Sequence, residues 1–185
     1  ICQLVATERP ERIGRLILTN CDAFENFLPP LFRPLQWLAR VPPLLTAAVQ
    51  PLRLPALHGL PIAFGLLTKR PLPREVTEAW VRPFLSQRGV RRDTAKLLRG
   101  IDKRDTLEAA AKLASFDRPA LIAWGSDDKA FGTDDGRRLA TILPQGRFVE
   151  VPDSRTFVSE DQPERLAELI GEFVRSTPIG RASAR

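Results

Sequence analysis

Hydrophobic positions fall into three regimes along the chain. In "RIGRLILTNCD", residues 12 to 22, the apolar side chains Leu16, Ile17 and Leu18 are consecutive rather than alternating. Such a run suits a strand covered on both faces, as in a parallel sheet. From 24 to 73 the chain stays apolar but is broken every few residues by proline, as in "FLPPLFRPLQWLARVPPLLTAAVQPLRLPALHGLPIAFGLL". Each proline limits helix length, so this stretch predicts short helices joined by kinks. That is material for a lid or cap, not for a sheet core. From about 74 to 115 more regular helices are expected in "PREVTEAWVRPFL", "RRDTAKLLRG" and "DTLEAAAKLASF".

The strand pattern returns near residue 118. "RPALIAWG" reads as a strand with Pro119 tolerable at its start, and "GRFVEVP" as the next. Between them "TDDGRRLATIL" reads as a helix, with Thr133 as its cap and Asp134 and Asp135 in the first turn, where acids oppose the dipole. "SEDQPERLAELIGEFV" reads as the last helix, with Ser159 and Gln162 at capping-box spacing. Its apolar stripe is Leu166, Leu169, Ile170, Phe173 and Val174. At the other end "ICQLVA" reads as the end of a helix and "TERPERIG" as a turn.

The order strand, helical insert, strand, helix, strand, helix predicts an α/β class with a mostly parallel sheet. The expected organisation is core at 1–23, a Pro-rich helical cap at 24–115, core again at 116–175 and a loose tail at 176–185. Three strands are few for such a sheet. An open edge is therefore expected, with self-association or pairing with an absent N-terminal segment as its consequence. The chain begins with Ile1 and contains no Met, so it is expected to be part of a longer protein.

Composition narrows the partners. The formal charge is +6, and its densest stretch, "SQRGVRRDTAKLLRGIDKRD", sets seven Lys or Arg against three Asp without one aromatic residue to stack a base. A solvated helical face is the expectation, with no nucleic-acid partner. The longest uncharged apolar stretch, 54 to 68, is 15 residues long and holds Pro55 and Pro61, so no membrane span is expected. No targeting segment is visible, which points to the cytoplasm. Cys2 and Cys21 form no CxxC pair, Cys21 reads as a small buried residue, and no phosphate loop, HExxH or metal-ligand cluster occurs. No cofactor and no metal are expected.

Three phrases carry a resemblance: "ERIGRLILTNCDAF", "FDRPALIAWGSDDKAFG" and "PDSRTFVSEDQPERLAELIGEFV". They look like the sixth, seventh and eighth strand regions of an α/β hydrolase, nearest the haloalkane dehalogenase and epoxide hydrolase group. The resemblance implies a partial α/β-hydrolase fold with an inserted cap. It also implies hydrolysis of a small, largely apolar substrate (halide, epoxide or ester) by the intact protein, with a nucleophile elbow that would lie before Ile1. The alternative is a non-catalytic or truncated homologue that binds without turnover.

The family's acid maps onto Asp128, with Asp127 as fallback. A carboxylate there would fix the tautomer of a catalytic histidine and stabilise its protonated form. The family's histidine phrase corresponds to "DSRTFVSE", which puts Thr156 at the histidine position and Arg155 beside it. Neither side chain is a base near neutral pH. His58 is the sole histidine of the chain and is weighed as a stand-in base, with Asp22 as a rescue acid. Asn20 matches an asparagine at the end of the sixth strand and is a candidate ligand contact. Trp37, beside Phe32 in the cap, and Phe131 and Phe157, beside the acid and histidine positions, are candidate walls of an apolar pocket.

Overall fold

The computed structural model describes residues 1–177; residues 178–185, most of the tail expected to be loose, lie outside the described residues. Along the chain run α1 (Cys2–Glu8), β1 (Leu16–Leu18), α2 (Arg33–Leu38), α3 (Pro42–Val49), α4 (Arg74–Ser86), α5 (Arg88–Gly100), α6 (Lys103–Leu113), β2 (Ala120–Gly125), α7 (Thr133–Ile142), β3 (Gly146–Val151), α8 (Val158–Asp161) and α9 (Pro163–Ser176). Two compact units are formed. One holds Ile1–Phe27 and the described residues from Lys103 onward; the other is Leu28–Asp102.

The first unit is built on a parallel sheet of order β1-β2-β3 among the described residues. Leu16 pairs with Ala120, and Ala120 in turn with Gly146, so the three strands run level from their first residues. Every residue of β2 is buried. Its side chains alternate between two cores, as the period of a strand requires. Ala120, Ile122 and Trp124 join Leu16 and Leu18 and meet Ala6 of α1, Leu113 of α6 and Leu139 of α7. Leu121 and Ala123 face the other way and meet Val158, Leu166, Leu169 and Phe173 of the last two helices. This double burial is why the strand sequence shows an unbroken apolar run.

Gly136 explains how closely α7 lies on the sheet. A Cβ there would fall 2.6 Å from the Trp124 ring and 2.9 Å from Phe148. A glycine inside a helix costs about 1 kcal/mol relative to alanine, and here it is the condition for close packing.

Three local expectations are corrected. Gly132, not Thr133, occupies the N-cap of α7 and makes no side-chain cap bond; Thr133 already lies in the helix, while Asp134 and Asp135 do sit in the first turn. The final helix is two pieces, α8 and α9. Pro163 drives Gln162 out of helical geometry, to φ −138° and ψ 59°. The Gln162 amide turns back to the Asp153 carbonyl, and the Ser159–Gln162 capping box does not form. On α9 the stripe holds at Leu166, Leu169 and Phe173 but not at Val174, which is 42% exposed.

The second unit joins short helices opened by proline, as the proline spacing predicts, to the longer helices α4 and α5. α2 and α3 carry Pro in their first two positions, as do 3-10 turns at Pro30–Phe32, Gln50–Arg53 and Pro55–Leu57 and a π turn at Pro61–Gly65. Proline is tolerated there because the first N–H groups of a helix have no internal partner. Ala39, Leu45 and Ala95 form its core with Leu35, Leu38, Val49, Phe84 and Leu98 around them. The helical insert expected over 24–115 is thus divided: residues 24–27 and α6 go with the sheet-bearing unit. α6 does so because it lies against α1 and inserts Leu113 into the sheet core. No helix among the described residues is long and apolar enough to cross a membrane.

Candidate active site

The C-terminal ends of all three strands deliver polar groups to one place, the side of an open α/β sheet where ligands bind as a rule. β1 leads to Asn20, β2 to Asp128 and β3 to Thr156. The loops that carry the last two are tied together by backbone bonds: Ser126 N–H donates to the Val151 carbonyl at 3.0 Å, and Asp127 N–H to the Ser154 carbonyl at 2.9 Å. Gly125 permits this approach, because a Cβ on it would meet the Arg155 and Ser154 carbonyl oxygens at 2.6 and 2.8 Å. Asp153 turns the second loop in a left-handed conformation, φ 59°, which aspartate tolerates better than most residues.

The Asp128 carboxylate is the hub. Asn20 Nδ2 donates to its Oδ2 at 2.7 Å, and the Ala130 N–H donates to its Oδ1 at 2.8 Å. Thr156 Oγ1 reaches both oxygens, at 3.1 and 2.9 Å. Burial raises the carboxyl group above its ordinary value, and the bonds from Ala130, Thr156, Phe131 and Asn20 pull it back without cancelling the shift. Desolvation therefore outweighs the donors.

Asn20 is buried and uses both ends of its amide. Its Oδ1 accepts the Gly125 N–H at 2.6 Å, while Nδ2 serves Asp128 and makes longer contacts to the Gly125 and Phe131 carbonyls, at 3.3 and 3.5 Å. It fastens β1 to β2 just past their last paired residues. Beside it, Gln3 Nε2 donates to the Asp22 carbonyl at 2.8 Å and approaches Cys21 Sγ at 3.5 Å. Burial pushes the Cys21 thiol up to about 12, and both cysteines are free.

Of the candidate residues, Asn20, Asp128 and Thr156 come together with the carbonyl of Phe131. The Phe131 ring is buried in the sheet core, and its carbonyl also accepts the Trp124 indole N–H at 3.0 Å. Phe157 is half-buried at the start of α8. Asp127 accepts the Ser126 hydroxyl at 2.7 Å, which sets its carboxylate in a different bond from that of its neighbour. Asp22 is half-buried and contributes its carbonyl to Gln3. In the second unit Trp37 is 76% exposed on α2. His58 is buried there with both ring nitrogens bonded, Nε2 to the Leu52 carbonyl at 2.8 Å and Nδ1 to Thr77 Oγ1 at 2.7 Å.

Sequence reasoning missed Gly125, Ser154 and Asp161. Ser154 is fully buried with its hydroxyl on the Val151 carbonyl, and Asp161 accepts the Arg155 N–H at 2.9 Å, so both shape the loop that presents Thr156. A glycine closing an apolar strand was the available signal, since it marks close approach of another backbone. No group of three or more His, Cys, Asp or Glu able to hold a metal occurs among the described residues.

No family model matches the chain. It is 28% identical over 183 residues to a cis-3-alkyl-4-alkyloxetan-2-one decarboxylase of Shewanella oneidensis, covering 93% of this chain and 55% of that protein. It is 38% identical over 56 residues to haloalkane dehalogenase 2 of Mycobacterium tuberculosis, covering 30% of this chain and 20% of the dehalogenase. Among solved structures, an α/β hydrolase fold protein from Burkholderia ambifaria superposes with a TM-score of 0.71 at 25% identity, over 91% of this chain and 60% of that one. The chain spans about half the length, or less, of the curated relatives it matches. With the parallel order β1-β2-β3, the flanking helices and the helical unit placed in sequence between β1 and β2, the described chain carries a partial α/β-hydrolase-superfamily fold.

Proposed function

We propose that this chain supplies the acid-bearing part of a hydrolase site, nearest the dehalogenase and epoxide hydrolase group, that acts on a small and largely apolar substrate. Asp128 is the acid. Asn20 and Phe157 meet the substrate beside it. The scissile group is an ester, an epoxide or a halide, and the dialkylated oxetanone in the name of the Shewanella relative is a strained cyclic ester of that apolar kind. The observation that carries the reading is the Asp128 carboxylate, half-buried and held by Asn20, the Ala130 N–H and Thr156 where the strands end. Pairing along the edge of β1 that no strand among the described residues covers, by a second copy or by another strand of the same protein, belongs to the same proposal.

A second reading has its own observation. Thr156 gives its single hydroxyl proton to Asp128 where the family pattern expects an imidazole, and a hydroxyl cannot serve as a base near neutral pH. On this reading the site binds without turnover. The test is a hydrolysis assay of the whole protein as its gene encodes it, against a short-chain p-nitrophenyl ester, a terminal epoxide and a bromoalkane, beside Asp128→Asn. Turnover of one class that falls by about 10² or more in the variant supports the first reading. Binding without turnover of all three supports the second, and turnover indifferent to Asp128 refutes the role given to that carboxylate.

A further inference from the structure

The basic stretch that the sequence presents as a solvated face forms one wall of a groove. In the helical unit Arg88, Arg91, Arg92 and Arg99 of α5 line an open cavity of about 800 Å³, with Pro42 and Thr46 of α3 opposite and no acidic residue in the lining. We propose that this groove is a binding site for a phosphate-bearing anion, separate from the Asp128 site.

Two of the four guanidiniums are held in place by the fold. Arg91 Nη1 donates to the Phe84 and Leu85 carbonyls, both at 3.1 Å, and Arg99 Nη1 to the Ala39 carbonyl at 2.9 Å. A guanidinium has five N–H donors, so each keeps several for a ligand while its position is fixed. Arg88 and Arg92 are exposed; Arg92 meets Asp93, its neighbour on α5, at 2.8 Å with both side chains largely in solvent. Such an exposed pair is worth little and yields readily to a stronger anion.

α5 is also electrostatically unsatisfied without one. It carries five Lys or Arg against one Asp, and its first turn contains no acid. Arg88 and Arg91 thus sit at the positive end of the helix dipole, and Arg88–Arg92 and Arg92–Lys96 are like-charged neighbours one turn apart. A dianion in the groove relieves the repulsion between Arg88 and Arg92, which both line it. Planar guanidiniums match the oxygens of phosphate in paired hydrogen bonds, which favours phosphate over a lone carboxylate.

The experiment titrates the full chain at low salt with inorganic pyrophosphate by calorimetry, and with phosphatidylcholine vesicles with and without phosphatidylglycerol by co-sedimentation. Arg88→Gln/Arg92→Gln is compared with Arg137→Gln/Arg165→Gln, which removes equal charge from the sheet unit. A guanidinium near 4 Å from an anion is worth about fivefold even in water, so the groove variant should bind about tenfold more weakly or worse, and the control as wild type. Loss on pyrophosphate identifies a soluble phosphate ligand, and loss on anionic vesicles alone identifies a lipid headgroup. Equal losses in both variants mean diffuse attraction to the net charge and overturn the site. So does the absence of binding to either probe, or a preference for a single-stranded oligonucleotide over both.

Discussion

Replacing Asn20 by alanine removes two bonds at once. The Gly125 N–H loses its acceptor at 2.6 Å, and Asp128 Oδ2 loses a donor at 2.7 Å. A buried N–H left alone costs about 1–3 kcal/mol, and a hydrogen bond to a charged group contributes about 1.5–3 kcal/mol. With some refilling by water the sum is about 3–5 kcal/mol, a large share of the roughly 5–15 kcal/mol available to a domain. With a urea slope of about 2 kcal/mol per molar, the midpoint should fall by about 2 M. Asn20→Asp separates the two bonds. One oxygen keeps the Gly125 N–H, and the other meets Asp128 Oδ2 where the amide nitrogen stood. Two carboxylates at that distance do not both ionise, so the pair retains a proton into the neutral range. The native state then binds more protons than the unfolded chain, and stability recovers as pH falls toward the ordinary carboxylate range. The assay is urea unfolding of wild type and both variants from pH 5 to 8, followed by far-UV dichroism, with amide exchange at Gly125 as a local readout. A loss below about 1 kcal/mol in Asn20→Ala, or a pH-independent deficit in Asn20→Asp, would refute the bonding pattern.

The remaining predictions concern the same neighbourhood. Because burial raises Asp128, folding takes up a proton between its unfolded and native values; wild type should lose stability relative to Asp128→Asn as pH rises through that window, seen as converging urea midpoints. Thr156→Val removes a donor to Asp128, so the loss should be about 1–2 kcal/mol at pH 7 and smaller once the carboxyl is protonated. Gly125→Ala should unfold the site loop at a cost above 2 kcal/mol, on the order of a core overpacking, because backbone oxygens and not flexible side chains oppose the new methyl. Iodoacetamide at pH 8 should label exposed Cys2 and leave Cys21 unlabelled in the native chain, with both labelled in urea.

How much of this was legible in the sequence depended on the range of the interaction. β2 was plain because a strand buried on both faces needs apolar residues at every position, and "ALIAWG" has them. The proline-opened helices were plain because proline acts within one turn. The capping box at Ser159 and Gln162 failed because Pro163 competes for the same turn, and spacing alone cannot weigh a cap against a backbone clash. At the site, the phrase "GSDD" gave two acids and no means of choosing between them. What sets Asp128 apart from Asp127 is its bonding to Asn20, over a hundred positions earlier, and to Thr156 in the loop after β3. The grouping of α6 is hidden for a similar reason: its periodicity announces an apolar face but not which unit covers that face.

Thr156 is the residue on which the two functional readings turn, and its geometry constrains both. A triad needs the acid to accept from a ring nitrogen whose other nitrogen faces substrate. Threonine has one proton and no second basic atom, so the chain of bonds ends at Asp128. That termination does not make the acid idle. A half-buried carboxylate with a raised proton affinity, held past the strand ends by an amide, a backbone N–H and a hydroxyl, can itself take or give a proton, and under the proposed function it does so beside the substrate. The two roles differ in their response to acid. An orienting carboxylate must be ionised, so activity resting on it grows as pH rises through its value. A carboxyl acting as general acid must be protonated, so activity grows as pH falls. The slope of log kcat/KM against pH between 4 and 7, lost in Asp128→Asn, therefore assigns the role, and a flat profile removes Asp128 from the chemistry altogether.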